Sequence, residues 1–355
     1  MASNCFKLTY IPKLDGLRGI AIIFVMLFHF EVPFFEGGFI GVDIFFVLSG
    51  FLITSLLIQE FDRIDHINLR YFYIRRVLRL APSLVCLLIV FCFIGFIVLN
   101  REKAIENLID AIISLIYLSN WARAFMLRSP DFLGHTWSLS TEEQFYILWP
   151  IVLLVLLRII KDRRYIVFVS SFVALCAWCL RIYLTMEKTP LERLYNGLDT
   201  RADALMIGCA LGVLISSGLI KESIKECLSK WLVVIAPFSM ISLLAFAIFS
   251  RWQDPGMYFF GFLVVELLAV ALILDCLIGR RNIIGKLLEL KWLVWIGSIS
   301  YGLYLWHYPI CKILFIMRLD PVMIIGIGMI VTFIIATCSY YFLEKPILRL
   351  KNAFS

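Results

Sequence analysis

An all-α, polytopic membrane fold with about ten transmembrane helices and no soluble domain is what this sequence predicts, on three observations. The first is hydrophobic load: 62% of the 355 residues are hydrophobic and the mean hydropathy is +0.93, which excludes an ordinary soluble chain. The second is run length. Stretches of about 18 apolar residues or more read as membrane-crossing helices. They recur at about 17–30, 38–59, 77–99, 139–157, 165–184, 202–219, 231–250, 257–278, 292–317 and 322–343. The third is the placement of Lys and Arg. Basic residues gather near 60–76 (Arg63, Arg70, Arg75, Arg76), 158–164 (Arg158, Lys161, Arg163, Arg164), 221–230 (Lys221, Lys225, Lys230) and 279–291 (Arg280, Arg281, Lys286, Lys291), and in both terminal segments. Positive-inside bias then puts both termini of a multi-pass membrane protein on the cytoplasmic side. The net charge of +7 follows from that topology and is no sign of nucleic acid.

The first run is short and resembles a signal peptide. It is kept as a span because Glu31-Val32-Pro33-Phe34-Phe35 is a poor cleavage site and its own polar ends look functional. The longest stretch outside the spans, about 100–138, contains the apolar run Leu108–Leu118, which is too short to cross and reads as interfacial or re-entrant. Cys176 and Cys179 have CxxC spacing but fall mid-helix with no second pair or nearby His, so no metal is expected. His66, alone in a basic loop, reads as solvated. One domain over 1–355, with a core of 14–347, accounts for the whole chain.

Polar groups inside the apolar runs carry the chemistry. Arg18 opens the first span and His29 closes it. Eleven residues separate them, about 16 Å along a helix and close to a whole number of turns, so both project from nearly one face. Asp43 sits one turn inside the second span, where a carboxylate costs roughly 2.5–3.5 kcal/mol and therefore faces protein or water. Arg18 alone could be a snorkelling anchor, and His29 alone a satisfied polar contact. Together with Asp43 they suggest a general base. A carboxylate holding one imidazole nitrogen leaves the other free to activate a hydroxyl.

Arg75 and Arg79 share a helix face, and Arg76 neighbours Arg79 at i+3. Arginine at the inner boundary satisfies topology, but guanidinium forks also hold phosphate bidentately. Tyr71, Phe72 and Tyr73 could stack on a base or belong to an aromatic belt. In the stretch His135-Thr-Trp137-Ser138-Leu-Ser140-Thr-Glu142-Glu143, Ser140 and Glu143 fit a capping box, which leaves Glu142 for the site at the level of His29 and Asp43. Asp199, Arg201 and Asp203 open the sixth span, either as a solvated ion-paired end or as the lining of a sugar cavity. Ser300, Tyr301, Tyr304, Trp306 and His307 lie midway along the ninth span and need an internal cavity to be tolerated there. Glycines in the first two spans read as close packing.

These stretches, in this order, resemble the acyltransferase 3 family of bacterial membrane O-acyltransferases: LDGLRGIAIIFVMLFHF, GFIGVDIFFVLSGFLI, RRVLRLAP, HTWSLSTEEQFYILWP, LDTRADALMIGCALG, SYGLYLWHYPI and YYFLEKPI. The resemblance implies transfer of an acyl group, usually acetyl, from cytoplasmic acyl-CoA to a hydroxyl of an envelope carbohydrate such as O-antigen, exopolysaccharide or peptidoglycan. It gives Arg18 and His29 as the essential pair, with Asp43 in support. Arg75, Arg76 and Arg79 would hold the acyl-CoA, a co-substrate, no cofactor being tightly bound. Glu142 joins the catalytic candidates, and Trp137, Tyr301 and His307 join Asp199, Arg201 and Asp203 as candidates for the carbohydrate. Arg18, Ser300 and Tyr301 are candidates for the oxyanion. Some relatives carry a fused extracytoplasmic esterase-like domain. This chain stops after the tenth span, so it is expected to acylate its acceptor directly or to hand the group to a separate extracytoplasmic transferase, with peptidoglycan the less favoured acceptor. The rival classes are a transporter or flippase of an acylated or lipid-linked saccharide, which needs no phosphate-type arginine cluster, and a scaffold, which has no use for Asp43.

Overall fold

The structure, a computed structural model, describes residues 9–98, 100–128 and 130–350. Lys351 of the expected basic tail, and the terminal residues of the expected 1–355 domain, lie outside them. Every regular element among the described residues is helical. The first helix, α1 (Pro12–His29), begins with Pro12, whose fixed φ and missing N–H suit a first turn. A short turn at Gly38–Ile40 leads into α2 (Gly41–Ile64), and α3 (Leu69–Val98) continues through an internal Pro82. The apolar run of the 100–138 stretch forms an amphipathic helix, α4 (Arg101–Leu115), started by Asn100, whose side chain accepts from the Lys103 amide at 3.0 Å. It turns Asp110, Ala111 and Ser114 inward and leaves Ile105, Leu108, Ile112 and Leu115 exposed. The chain continues through α5 (Ser119–Ala124), α6 (Thr136–Ile159), α7 (Arg163–Met186), α8 (Leu191–Asn196), α9 (Leu198–Ser216), α10 (Glu222–Phe249) and α11 (Phe262–Ile278). It ends with α12 (Ile283–Leu288), α13 (Lys291–Ser298), α14 (Ser300–Ile316), α15 (Pro321–Cys338) and α16 (Lys345–Leu350).

Six helical segments are long and apolar enough to cross a membrane: Gly38–Ile64, Leu69–Val98, Arg163–Met186, Glu222–Phe249, Met257–Ile278 and Pro321–Arg349. The other four expected spans form helices but fall short of that standard, for a physical reason. α1 has 18 residues and holds Lys13, Asp15 and Arg18, while α9 has 19 and holds Asp199, Arg201 and Asp203. α6 carries Glu142, Glu143 and Arg158. The expected single span 292–317 is broken at Ile299 into α13 and the 17-residue α14. Three of these helices, α1, α6 and α14, carry polar residues of the site described below.

α2 is the central element: 72% of its most apolar stretch is buried, against 22–28% for α3, α7, α10 and the α15–α16 segment. Those peripheral helices leave apolar side chains such as Phe93, Phe96, Phe168, Phe238 and Ile330 exposed, as a lipid-facing surface requires. α2 and α9 pack backbone to backbone. A Cβ added at Gly50 would run into the Leu205 carbonyl, and one added at Gly208 into the Val47 carbonyl. That approach sets how closely the charged start of α9 meets Asp43.

Candidate active site

Four helices contribute one polar stripe each to a cavity of about 260 Å³. From α1 comes Arg18. From α3 come Arg76 and Arg79, three residues apart on one face. From α6 come Ser138, Glu142, Glu143 and Tyr146, and from α14 come Ser300, Tyr301 and Tyr304. α2 supplies Ser49 and an apolar side of Phe45, Phe46, Leu52 and Ile53. The lining carries three guanidinium groups and two carboxylates. Arg76 is clamped by Glu143, whose Oε1 accepts from its Nε at 3.0 Å and its Nη2 at 2.8 Å, and its guanidinium lies 3.5 Å from the Tyr146 ring centroid. Glu142 accepts from the Ser49 hydroxyl at 2.7 Å. Arg18 donates to the Ser300 hydroxyl at 3.0 Å, and the Tyr301 hydroxyl donates to the Leu80 carbonyl at 2.8 Å.

At one end the cavity is closed by Ser138 and Tyr304, whose hydroxyls lie 2.5 Å apart, with the Tyr304 hydroxyl donating to the His135 carbonyl at 2.9 Å. One turn further along α14 stands a histidine cluster. His307 Nε2 is 3.0 Å from His29 Nδ1. The His135 ring lies 5.6 Å from that of His307 and 5.0 Å from that of Tyr308. His29 is half-buried, whereas His135 and His307 are buried. The Cys311 thiol donates to the His29 carbonyl at 2.9 Å and so holds the end of α1 against α14. Arg18 and His29 therefore do share a face, and both ends of it meet α14, at Ser300 and at His307.

Several expected placements are corrected by this geometry. Asp43 does not reach His29; it is fully buried and takes the Arg201 guanidinium instead. Arg201 and Asp203 line no sugar cavity either. Arg201 lies 3.8 Å from the Phe262 ring centroid, and Asp203 pairs with Arg181 of α7 at 2.6 Å. Asp199 is bound by Arg193 at 2.8 and 2.5 Å. The solvated-end reading is thus met only by Asp199, since Arg201 and Asp203 are at most 1% exposed. Trp137 is buried between Phe46 and Tyr195, behind the cavity wall and not in its lining. Arg75 does not line the cavity with Arg76 and Arg79 and pairs with Glu60 at 3.5 Å. No capping box forms: α6 starts at Thr136 with His135 as its N-cap, which puts Ser140 inside the helix and frees Glu143 for Arg76. Glu142 stands with the arginines, not at the level of His29 and Asp43.

The reason for the Asp43 correction is competition. A guanidinium entering from α9 offers a carboxylate in a dry interior both opposite charge and several donors, which a neutral imidazole does not. Sequence reasoning missed Ser49, Tyr146 and His135 as parts of the site. A signal existed for two of them: Tyr146 follows Glu142 by four residues and so shares its helical stripe, and His135 precedes Ser138 by three.

A family model, the acyltransferase domain of the acyltransferase 3 type, matches residues 11–341. Among curated proteins, the chain is 37% identical over 359 residues to YrhL of Bacillus subtilis, covering 95% of this chain and 55% of that protein. It is 35% identical over 363 residues to the peptidoglycan O-acetyltransferase OatA of Listeria monocytogenes, covering 97% and 56%. It is also 35% identical over 356 residues to the O-acetyltransferase OatA of Staphylococcus aureus, covering 95% and 57%. The chain thus spans a little over half the length of these relatives. No solved structure matches it. With the matched region running from α1 through the cavity and the histidine cluster to the end of α15, the chain belongs to the acyltransferase 3 family of membrane acyltransferases.

Proposed function

We propose that this protein is a membrane O-acyltransferase that moves an acetyl group from acyl-CoA to a hydroxyl of a cell-envelope carbohydrate. The observation that carries the reading is the pairing of an arginine-lined cavity with a half-buried histidine one turn of α14 beyond its Ser138–Tyr304 end, within a helical membrane fold. Arg76, Arg79 and Arg18 offer the bidentate donors that phosphate oxygens prefer. At about 260 Å³ the cavity lies near the low end of the roughly 300–1,000 Å³ typical of ligand sites, which suits a narrow pantetheine arm better than a whole nucleotide. The arm lies along the apolar side of Phe45, Phe46 and Leu52 and directs the thioester towards the Ser138–Tyr304 end.

His29 acts as general base. Its Nε2 takes the proton of the acceptor hydroxyl, the oxygen forms a bond to the acyl carbon, and the carbon–sulfur bond breaks. The departing thiolate takes up the proton, so CoA leaves as the thiol. Arg18 with Ser300 is a charge-bearing pair available to the oxyanion. Ten membrane crossings with both termini cytoplasmic put the phosphate-binding end of the cavity on the side where acyl-CoA is made. Among the expected acceptors, peptidoglycan is the favoured one, since the Listeria monocytogenes relative is a peptidoglycan O-acetyltransferase. The rival reading, a saccharide transporter or flippase, has no need of the arginine stripe on α3.

Mass spectrometry of muropeptides, surface polysaccharide and lipid-linked glycans tests the reading, in cells with the gene, without it, and complemented by His29→Ala. The expected outcome is an O-acetyl increment on one glycan, lost on deletion, restored by the wild type and not by His29→Ala, with the variant still in the membrane and still binding acetyl-CoA. Unchanged acetylation with altered glycan export would overturn it in favour of transport.

A further inference from the structure

The hydrogen bonds around His29 decide where the protons of two imidazoles sit. His29 Nδ1 lies 3.0 Å from the Val25 carbonyl oxygen, one turn back in α1. A carbonyl oxygen only accepts, so Nδ1 carries the hydrogen. His307 Nδ1 lies 3.1 Å from the Leu303 carbonyl oxygen, with the same consequence. A neutral His307 then has its lone pair on Nε2, and that atom is the one 3.0 Å from His29 Nδ1. The His29 N–H is shared between a carbonyl and an imidazole lone pair, and the unused lone pair of His29 is on Nε2, on the ring's far side. His307 is fully buried, and its contact to His29 comes from a different helix, so packing of α1 on α14 sets the pair.

We propose that His307 is the positioning residue for His29, fixing the rotation of its ring and sharing the Nδ1 hydrogen with the Val25 carbonyl, through an imidazole–imidazole hydrogen bond where other hydroxyl-activating sites use a carboxylate. This rests on the reading of His29 as general base. When His29 Nε2 gains the acceptor's proton, its Nδ1–H still donates to His307 Nε2, and the positive charge is shared between two rings until the thiolate takes a proton back. A neutral partner has an advantage at this depth. An ionised carboxylate in an apolar interior must be paired at all times, whereas the histidine pair carries charge only while the proton is in transit. It also explains why Asp43 can be committed to Arg201 without disabling the base. The Tyr308 ring packs edge-on against His29, and the His135 ring packs against both Tyr308 and His307.

Three variants of the full chain in lipid nanodiscs test this, with acetyl-CoA as donor and muropeptides as acceptor. His307→Leu fills a similar space but cannot accept from His29. Loss of a positioned general base costs on the order of 100-fold or more, so kcat is expected to fall by about that factor with KM for acetyl-CoA unchanged. His307→Gln, whose Oε1 can accept the Nδ1 hydrogen, should recover to within about tenfold of wild type. His29→Ala separates the two layers of the argument: full activity in that variant would defeat the base assignment itself. Nitrogen-15 NMR of labelled histidine reads the tautomer independently of turnover. Wild type should show His29 as the Nδ1–H form with that hydrogen shared by two acceptors, and His307→Leu the same form with its Nδ1 signal shifted to that of a bond to the Val25 carbonyl alone. A wild-type His29 in the Nε2–H form, or Leu and Gln variants that behave alike, would overturn the role of His307.

Discussion

Two clusters of intramembrane charge lie on opposite sides of α2, and they differ in almost everything except their residue types. On the side of Ser49, three arginines and two glutamates face a cavity. On the side of Asp43, the pairs Asp43–Arg201 and Asp203–Arg181 lie at 0–1% exposure, with Glu266 of α11 fully buried beside them. The first cluster keeps donors turned towards open space. In the second, Arg181 also donates to the carbonyls of Thr200 at 2.8 Å and Tyr258 at 3.2 Å, tying α7, α9 and the helical turn that precedes α11 together. An ionisable residue in a membrane helix is a functional candidate by default. The contrast shows that what turns candidate into site is adjacent space, not charge. The dry cluster fixes how α2, α7, α9 and α11 dock; the wet cluster is free to meet a ligand.

The largest effect that would sharpen this contrast comes from breaking the dry cluster. Arg201→Ala strands Asp43 without its cation, and removal of one partner of a buried pair costs about 3–5 kcal/mol. A large drop in detergent melting temperature is expected, with activity lost alongside the fold. The double variant Asp43→Leu/Arg201→Met replaces both charges by apolar groups, which is often neutral or stabilising. It should regain stability and retain transfer; a stable but inactive double variant would return Asp43 to the catalytic apparatus. In the wet cluster, Arg79→Ala removes a charged donor worth about 1.5–3 kcal/mol. KM for acetyl-CoA is expected to rise about 10- to 100-fold with the melting temperature unchanged, and a stability loss in place of that rise would erase the distinction between the clusters. The smallest effect is expected at Arg75, outside the cavity and paired with Glu60 near the surface. Such pairs are worth about 0–1 kcal/mol, so Arg75→Ala should leave KM for acetyl-CoA within about twofold in the same titration.

Much of the site was legible one residue at a time. The eleven-residue spacing of Arg18 and His29 held because a helix has a fixed period, and both side chains do meet α14. The RRVLRLAP stripe was legible for the same reason, and Arg76 and Arg79 share the cavity. Partner choice was not legible. Asp43 lies one turn inside its helix in either reading, and nothing along the chain says whether an imidazole from α1 or a guanidinium from α9 will arrive. The three-residue spacing of Ser140 and Glu143 was read as a cap because the N-cap of α6 was set five residues too late, at Ser140 and not His135, and a helix start depends on what the loop before it packs against.

The sequence by itself determined that the chain is helical, that its apolar runs belong in a membrane, and which residue types stand at which turn of each helix. Those are properties of period and hydropathy, local to a few turns. Only the tertiary structure decided that His29 would answer to His307, that Arg201 and Asp203 would be sealed in ion pairs, and that a cavity would open beside Arg79. Each of those outcomes is a contact between helices far apart in the chain. Such contacts follow from how closely backbones such as those at Gly50 and Gly208 can approach, and from which of several competing partners comes nearest in a medium where an unpaired charge is costly.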